Sequence, residues 1–113
     1  HQEYLGIHYL YSDDAGKNWS TAKQLGDESA IHADIAAHDN GRVVTVWDMM
    51  GEDGLAVFFA ESKDQGVHWS EAKQISKAGM RATHPRIVKT KNGFLSIWTE
   101  NNGHIQTLAT KRL

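Results

Sequence analysis

The chain has no cysteine. Disulfides and thiolate metal sites are therefore excluded, while the compartment is left open, because many secreted proteins also lack cysteine. Proline is nearly absent: Pro85 is the single one among 113 residues, beside ten glycines. Turns must then be built from Gly, Asn and Asp, as in antiparallel β proteins. Charge of one sign is also lacking. The formal net charge is -2, with no basic run and no aromatic-basic stripe, so neither nucleic acid nor an acidic membrane surface is an expected partner. No apolar run approaches membrane-spanning length, so no membrane insertion is expected. A Gly-rich phosphate loop, a nucleophile elbow and a metalloprotease helix are all missing, and no cofactor is implied. The sequence opens at His1 rather than at methionine and shows no signal peptide, which reads as a piece of something longer.

What is present is a repeat. Ser12-Asp13-Asp14-Ala15-Gly16-Lys17-Asn18-Trp19 returns fifty positions later as Ser62-Lys63-Asp64-Gln65-Gly66-Val67-His68-Trp69. Both copies obey Ser-x-Asp-x-Gly-x-x-Trp, and both continue with a serine, Ser20 and Ser70. The residue types suit a turn. Asp14 and Asp64 can accept backbone N–H groups within their own turn. Gly16 and Gly66 can take a positive φ that other residues resist. Trp19 and Trp69 can fold back over the hairpin and anchor it. Catalytic acids are a poor reading of these aspartates, because a scaffold needs the same turn in every repeat and an active site needs it once.

The flanking segments alternate with period 2. Strands are expected in the segment up to Tyr11, over 20–25, 32–37, 42–47 and 55–60, in a short run through Ile75, from His84, from Gly93 to Trp98, and over 104–110. Leu55 to Ala60 is apolar on both faces and should be covered on both. Asn40-Gly41 and Asn92-Gly93 are hairpin signals between apolar runs. His84-Pro85-Arg86-Ile87 parallels His32-Ala33-Asp34-Ile35, and Trp98 parallels Trp47. Nine short antiparallel strands at a period near fifty, four to a unit, give an all-β fold. The expected architecture is a partial antiparallel β-propeller of about two and a quarter four-stranded blades. It forms one domain over 1–113, with repeats at about 1–29, 30–79 and 80–113 and the boxes between third and fourth strands.

The motif resembles the Asp box, or bacterial neuraminidase repeat, of the sialidase superfamily, and the surrounding strand pattern extends the resemblance over essentially the whole chain. The resemblance implies a propeller of about six blades, of which this would be the C-terminal portion. It implies a secreted or cell-surface protein that handles glycans. Activity is less specific than fold, since propellers with the same boxes also serve as lectin-like binding modules. Two functions follow as expectations. One is a portion of a sialidase-like glycoside hydrolase without a complete active site of its own. The other is a non-catalytic module that binds a glycan, another small polar ligand or a protein. The open faces of a two-blade piece predict assembly, either with copies of itself or with the missing propeller segment.

The resemblance also directs the search for a site. Boxes and Asn-Gly hairpins belong on one rim, and the family's active site lies on the other. On that other rim the sequence offers Asp48, Met49, Met50, Glu52, Asp53, Glu100, Asn101, Asn102 and His104, with His32, Asp34, Arg81, His84 and Arg86 nearby. The candidate ligand-binding rim is Asp48, His84, Arg86, Glu100, His32 and Arg81. A sialidase needs arginines for the substrate carboxylate and a tyrosine nucleophile paired with a carboxylate. His84 stands where the tyrosine is expected, and Tyr4 and Gly54 stand where a carboxylate-binding arginine is expected, whereas Glu100 matches a late glutamate of the family. The scaffold matches and the chemistry largely does not. His32 and His84 recur as inward-facing polar residues. His32, Asp34 and His38 share a strand face spread over roughly 20 Å, too far for one ion, so no metal site is read.

Overall fold

The computed structural model describes residues 5–113. Tyr4 and the start of the expected first strand lie outside the described residues. Among the described residues the fold is all-β, with nine strands in three antiparallel sheets. Strands β1 (Ile7–Tyr9) and β2 (Lys23–Leu25) pair alone. Strands β3 (Ala33–Ala37), β4 (Val43–Gly51), β5 (Gly54–Ser62) and β6 (Lys73–Gln74) form a four-stranded meander. Strands β7 (Arg81–Lys89), β8 (Phe94–Asn101) and β9 (Gln106–Arg112) form a three-stranded one. The order two, four, three follows the repeat unit read from the sequence.

The sheets pack face to face. Alternation along β4 sends its side chains to two different cores. Trp47 and Met49 join Leu25, Ala30 and Ala60, with Ile7, Tyr9 and Trp69 against them, sealing the first sheet to the second. Val44 and Val46 join Ile87 and Phe94, sealing the second sheet to the third. Val57, Ala82 and Trp98 extend this second interface toward the β8–β9 side. The middle sheet is thus covered on both faces, which is why β4 and β5 read as continuous apolar runs.

Both boxes fold alike. The hydroxyl of Ser12 donates to Asp14 Oδ1 at 2.8 Å and accepts the Gly16 N–H at 2.8 Å. Ser62 does the same with Asp64 at 2.7 Å and Gly66 at 2.8 Å. Each aspartate then accepts the backbone N–H four residues on, from Asn18 and from His68, both at 2.8 Å. These bonds pull the carboxyl of Asp14 down to about 2 and hold that of Asp64 well below the usual carboxylate range. The serines that follow close the hairpins: Ser20 and Ser70 donate backbone N–H groups to Tyr11 and Glu61, both at 2.8 Å, and accept theirs in return. The residue at position 18 or 68, unassigned in the motif, supplies a side-chain nitrogen to the aspartate's second oxygen at 2.6 Å.

The copies differ in their surroundings. Trp69 donates its indole N–H to the Gly66 carbonyl at 3.0 Å and meets Tyr9 of the first sheet edge-on, with centroids 4.9 Å apart. Trp19 lies over Gly16 but is 59% exposed, so the expectation that both tryptophans anchor their hairpins holds only for Trp69. The described residues offer Trp19 no counterpart of Tyr9.

The turns fall at two ends of the sheets. At one end the second box touches the Asn40-Gly41 hairpin, with the Gln65 N–H on the Gly41 carbonyl at 2.8 Å, and His38 Nε2 lies 2.8 Å from the Gly93 carbonyl oxygen. At the other end lie the β4–β5 and β8–β9 turns and the loops that lead into β3 and β7.

Candidate functional site

The strand β4 runs to Gly51, four residues beyond the expected end at Trp47. Asp48 is therefore a strand residue and not a loop residue, and it is only 1% exposed. A buried carboxylate must be paired. Its Oδ1 accepts the His32 backbone N–H at 3.1 Å, and its Oδ2 accepts the His84 backbone N–H at 2.8 Å. Oδ2 also lies 2.9 Å from Nδ1 of the His32 ring. The main chain of Asp48 is tied to the same segment, through Ile31 N–H on its carbonyl at 3.0 Å and its own N–H on the His32 carbonyl at 3.1 Å.

His84 reaches this carboxylate because of a bulge. Thr83 pairs with Thr99 and Arg86 with Ile97, so His84 and Pro85 together stand opposite Trp98. His84 takes a φ of 58°, in the left-handed region, where a non-glycine residue is uncommon. The bend carries its ring over that of His32. The two imidazoles stack with centroids 3.9 Å apart and planes 30° from parallel. Ring nitrogens of His32 and His84 and a carboxylate oxygen of Asp48 all lie within 4.8 Å of one another. The His32 side chain is 44% exposed and His84 is exposed, so the cluster is closed beneath by Asp48 and open to solvent above.

The other candidates divide. Arg86 Nε lies 3.4 Å from Asp34 Oδ2, and the same oxygen accepts the Ile87 N–H at 3.0 Å. The Arg86 side chain is 80% exposed, so this pair contributes little, and the N–H bond is the firmer tie between the second and third sheets. Glu100 is buried, and its Oε1 accepts the Trp98 indole N–H at 3.0 Å. In the preceding unit Trp47 Nε1 faces the Met49 sulfur at 3.2 Å, so Met49 packs in the core while Met50 is exposed. Arg81 is exposed at the start of β7, in register with Asn101. The structure therefore brings together Asp48, His32 and His84, and leaves Glu100, Arg86 and Arg81 in other roles. Asp34 and His38 stand apart from the cluster, in contact with Arg86 and Gly93.

A depression of about 550 Å³ opens at the same end of the sheets, lined by Met49, Met50, Glu52, Asp53, Phe58 and Gln74 among others. Tyr9 and Tyr11 belong to the first sheet and its box, away from this end. Burial and the neighbouring Tyr11 raise the Tyr9 hydroxyl above its ordinary value. Among the described residues no helix is long and apolar enough to cross a membrane. No protein-family model matches the chain, and neither a curated protein nor a solved structure matches it.

Proposed function

We propose that the three sheets are consecutive blades of a sialidase-like Asp-box β-propeller, and that this portion recognises a glycan or similar polar ligand at the end opposite the boxes. The observation that carries the reading is the identical hydrogen-bond set in the two boxes, one joining the two strands of the first sheet and the other the third and fourth strands of the second. Face-to-face stacking of successive sheets supports it further. The polar depression with Glu52 and Asp53 offers room for a ligand.

Binding is favoured over hydrolysis by these residues alone. Glu100 is buried and engaged by Trp98, whereas a general acid must reach the scissile oxygen. His84 occupies the place where the family resemblance implies a tyrosine. In the second reading the chain belongs to a sialidase-like hydrolase whose remaining catalytic residues lie outside it. Secretion or surface display goes with either reading. So does assembly with further copies or with a missing segment, since Val88 and Leu108 are exposed on the third sheet.

A glycan array and a fluorogenic sialoside assay on one preparation separate the two. Saturable glycan binding without turnover is the expected result. Turnover by the chain itself would overturn the binding reading, and absence of both binding and turnover would overturn glycan recognition.

A further inference from the structure

We infer that His32, Asp48 and His84 form a binding site for a divalent transition-metal ion of the zinc and copper class. The inference stands on local geometry and does not require the propeller or glycan reading.

The donor set is two imidazoles and one carboxylate, with no sulfur. Imidazole suits zinc, copper and nickel, whereas calcium and magnesium prefer all-oxygen shells. Distances fit a small ion. His32 Nδ1 and Asp48 Oδ2 are 2.9 Å apart. Two donors at that spacing subtend an angle of about 90° at an ion bound at about 2.0–2.1 Å. The third donor lies within 4.8 Å of both. Donors on one such ion can be at most about 4.1 Å apart, so a reorientation of the exposed His84 ring is what completes the set. The rings are stacked and 30° from parallel, so binding requires the exposed His84 ring to turn out of the stack and aim its in-plane lone pair at the ion.

The repeat supplies an internal comparison. His32 and His84 occupy equivalent places in successive units, and so do Trp47 and Trp98. The residue after Trp98 is Thr99, where the preceding unit has Asp48. The scaffold therefore forms without a carboxylate at this position. Nor does it need a left-handed residue at the head of the strand, since the described residues before β3 place His32 there without a positive φ. Two departures from the repeat, a buried acid in one unit and a bulged histidine in the next, converge on one point. Asp48 is anchored by two backbone N–H groups, so the carboxylate is positioned before any ion arrives. The open upper side leaves a coordination position for water or for a ligand, as in metal sites that bind or activate a substrate.

The test uses the 113-residue chain stripped with chelator and titrated calorimetrically with zinc and with copper(II) in non-coordinating buffer. One saturable site per chain is expected, with at least about tenfold weaker binding in His32→Gln and in His84→Gly. The second variant suits the left-handed backbone and so keeps the fold, which circular dichroism verifies. His104→Gln, at an exposed histidine outside the cluster, should bind like the parent. Copper(II) electron paramagnetic resonance of the parent chain gives an independent readout, in which hyperfine structure from two imidazole nitrogens is expected. No saturable binding would overturn the inference. So would binding that survives both variants, or a copper spectrum without two coordinated nitrogens.

Discussion

Replacing the box serine with alanine in each copy tests whether burial, rather than the motif itself, sets the strength of the turn. In both boxes the hydroxyl accepts the N–H of the glycine four residues on, at 2.8 Å, and that of the aspartate two residues on, at 3.3 Å. Ser62 and Gly66 are buried, and Tyr9 stands where any side chain at position 66 would go. Ser12 is only half-buried and Gly16 is exposed. In Ser62→Ala the Gly66 N–H loses its acceptor where water cannot replace it, and an orphaned buried donor costs about 1–3 kcal/mol. With the weaker Asp64 N–H bond also lost, a destabilisation of about 2–3 kcal/mol is expected. In Ser12→Ala water takes over, and the loss should stay below about 1 kcal/mol. At about 4 °C per kcal/mol for a domain of this size, melting should fall by about 10 °C in the first variant and by less than about 4 °C in the second. Circular dichroism melts at one fixed protein concentration read this directly. Equal shifts, or a larger one for Ser12→Ala, would refute the argument that burial strengthens the second box.

Acid stability should depend on the same turns: a carboxylate whose folded pKa is depressed stabilises the fold above its unfolded value of about 4, and that contribution disappears as pH falls toward the folded value of about 2 for Asp14. Urea midpoints measured between pH 5 and pH 2 should therefore fall steeply in the parent and less steeply in Asp14→Asn/Asp64→Asn, and an unchanged slope would contradict the account. Trp98→Phe removes the indole N–H from the buried Glu100 carboxylate, whereas Trp47→Phe removes it only from a thioether. The first variant should unfold more easily than the second by about 1.5–3 kcal/mol in chemical denaturation, the range for a hydrogen bond to a charged group. Gly66→Ala meets both a φ of 91° and the Tyr9 ring, whereas Gly54→Ala meets a φ of 109° and open space. Losses of more than about 3 kcal/mol and of about 1–2 kcal/mol are expected on the same denaturation assay.

Much of the fold was legible because its signals are local. The two boxes, the period-2 runs and the Asn-Gly hairpins each draw on neighbours within a few residues, and among the described residues the structure places nine strands in the expected order. The site was legible only in outline. Asp48, His32 and His84 were all among the candidates, but as members of a rim and not as a cluster. Asp48 lies just past the strand end expected at Trp47, and pairing with β5 carries the strand through it. The candidate donors come from β4, from the segment before β3 and from β7, so they cannot lie on the single strand face of His32, Asp34 and His38. Pro85 cannot donate to the ladder, and a proline within a strand marks an edge or a bulge.

By itself, the sequence determined the all-β class, the repeat period, the turn chemistry of the boxes and the end of the sheets where polar side chains gather. These follow from backbone propensities and short-range hydrogen bonds, which a stretch of chain carries wherever it is placed. Only the tertiary structure decided that Trp69 is anchored and Trp19 is not, that Glu100 is engaged by Trp98, and that a buried carboxylate of one sheet lies beneath two stacked imidazoles. Those outcomes depend on which sheet face meets which neighbour and on a bulge of a single residue at His84. A one-residue change of register redirects side chains from one face of a strand to the other, and no pattern within a single strand records where its neighbour will sit.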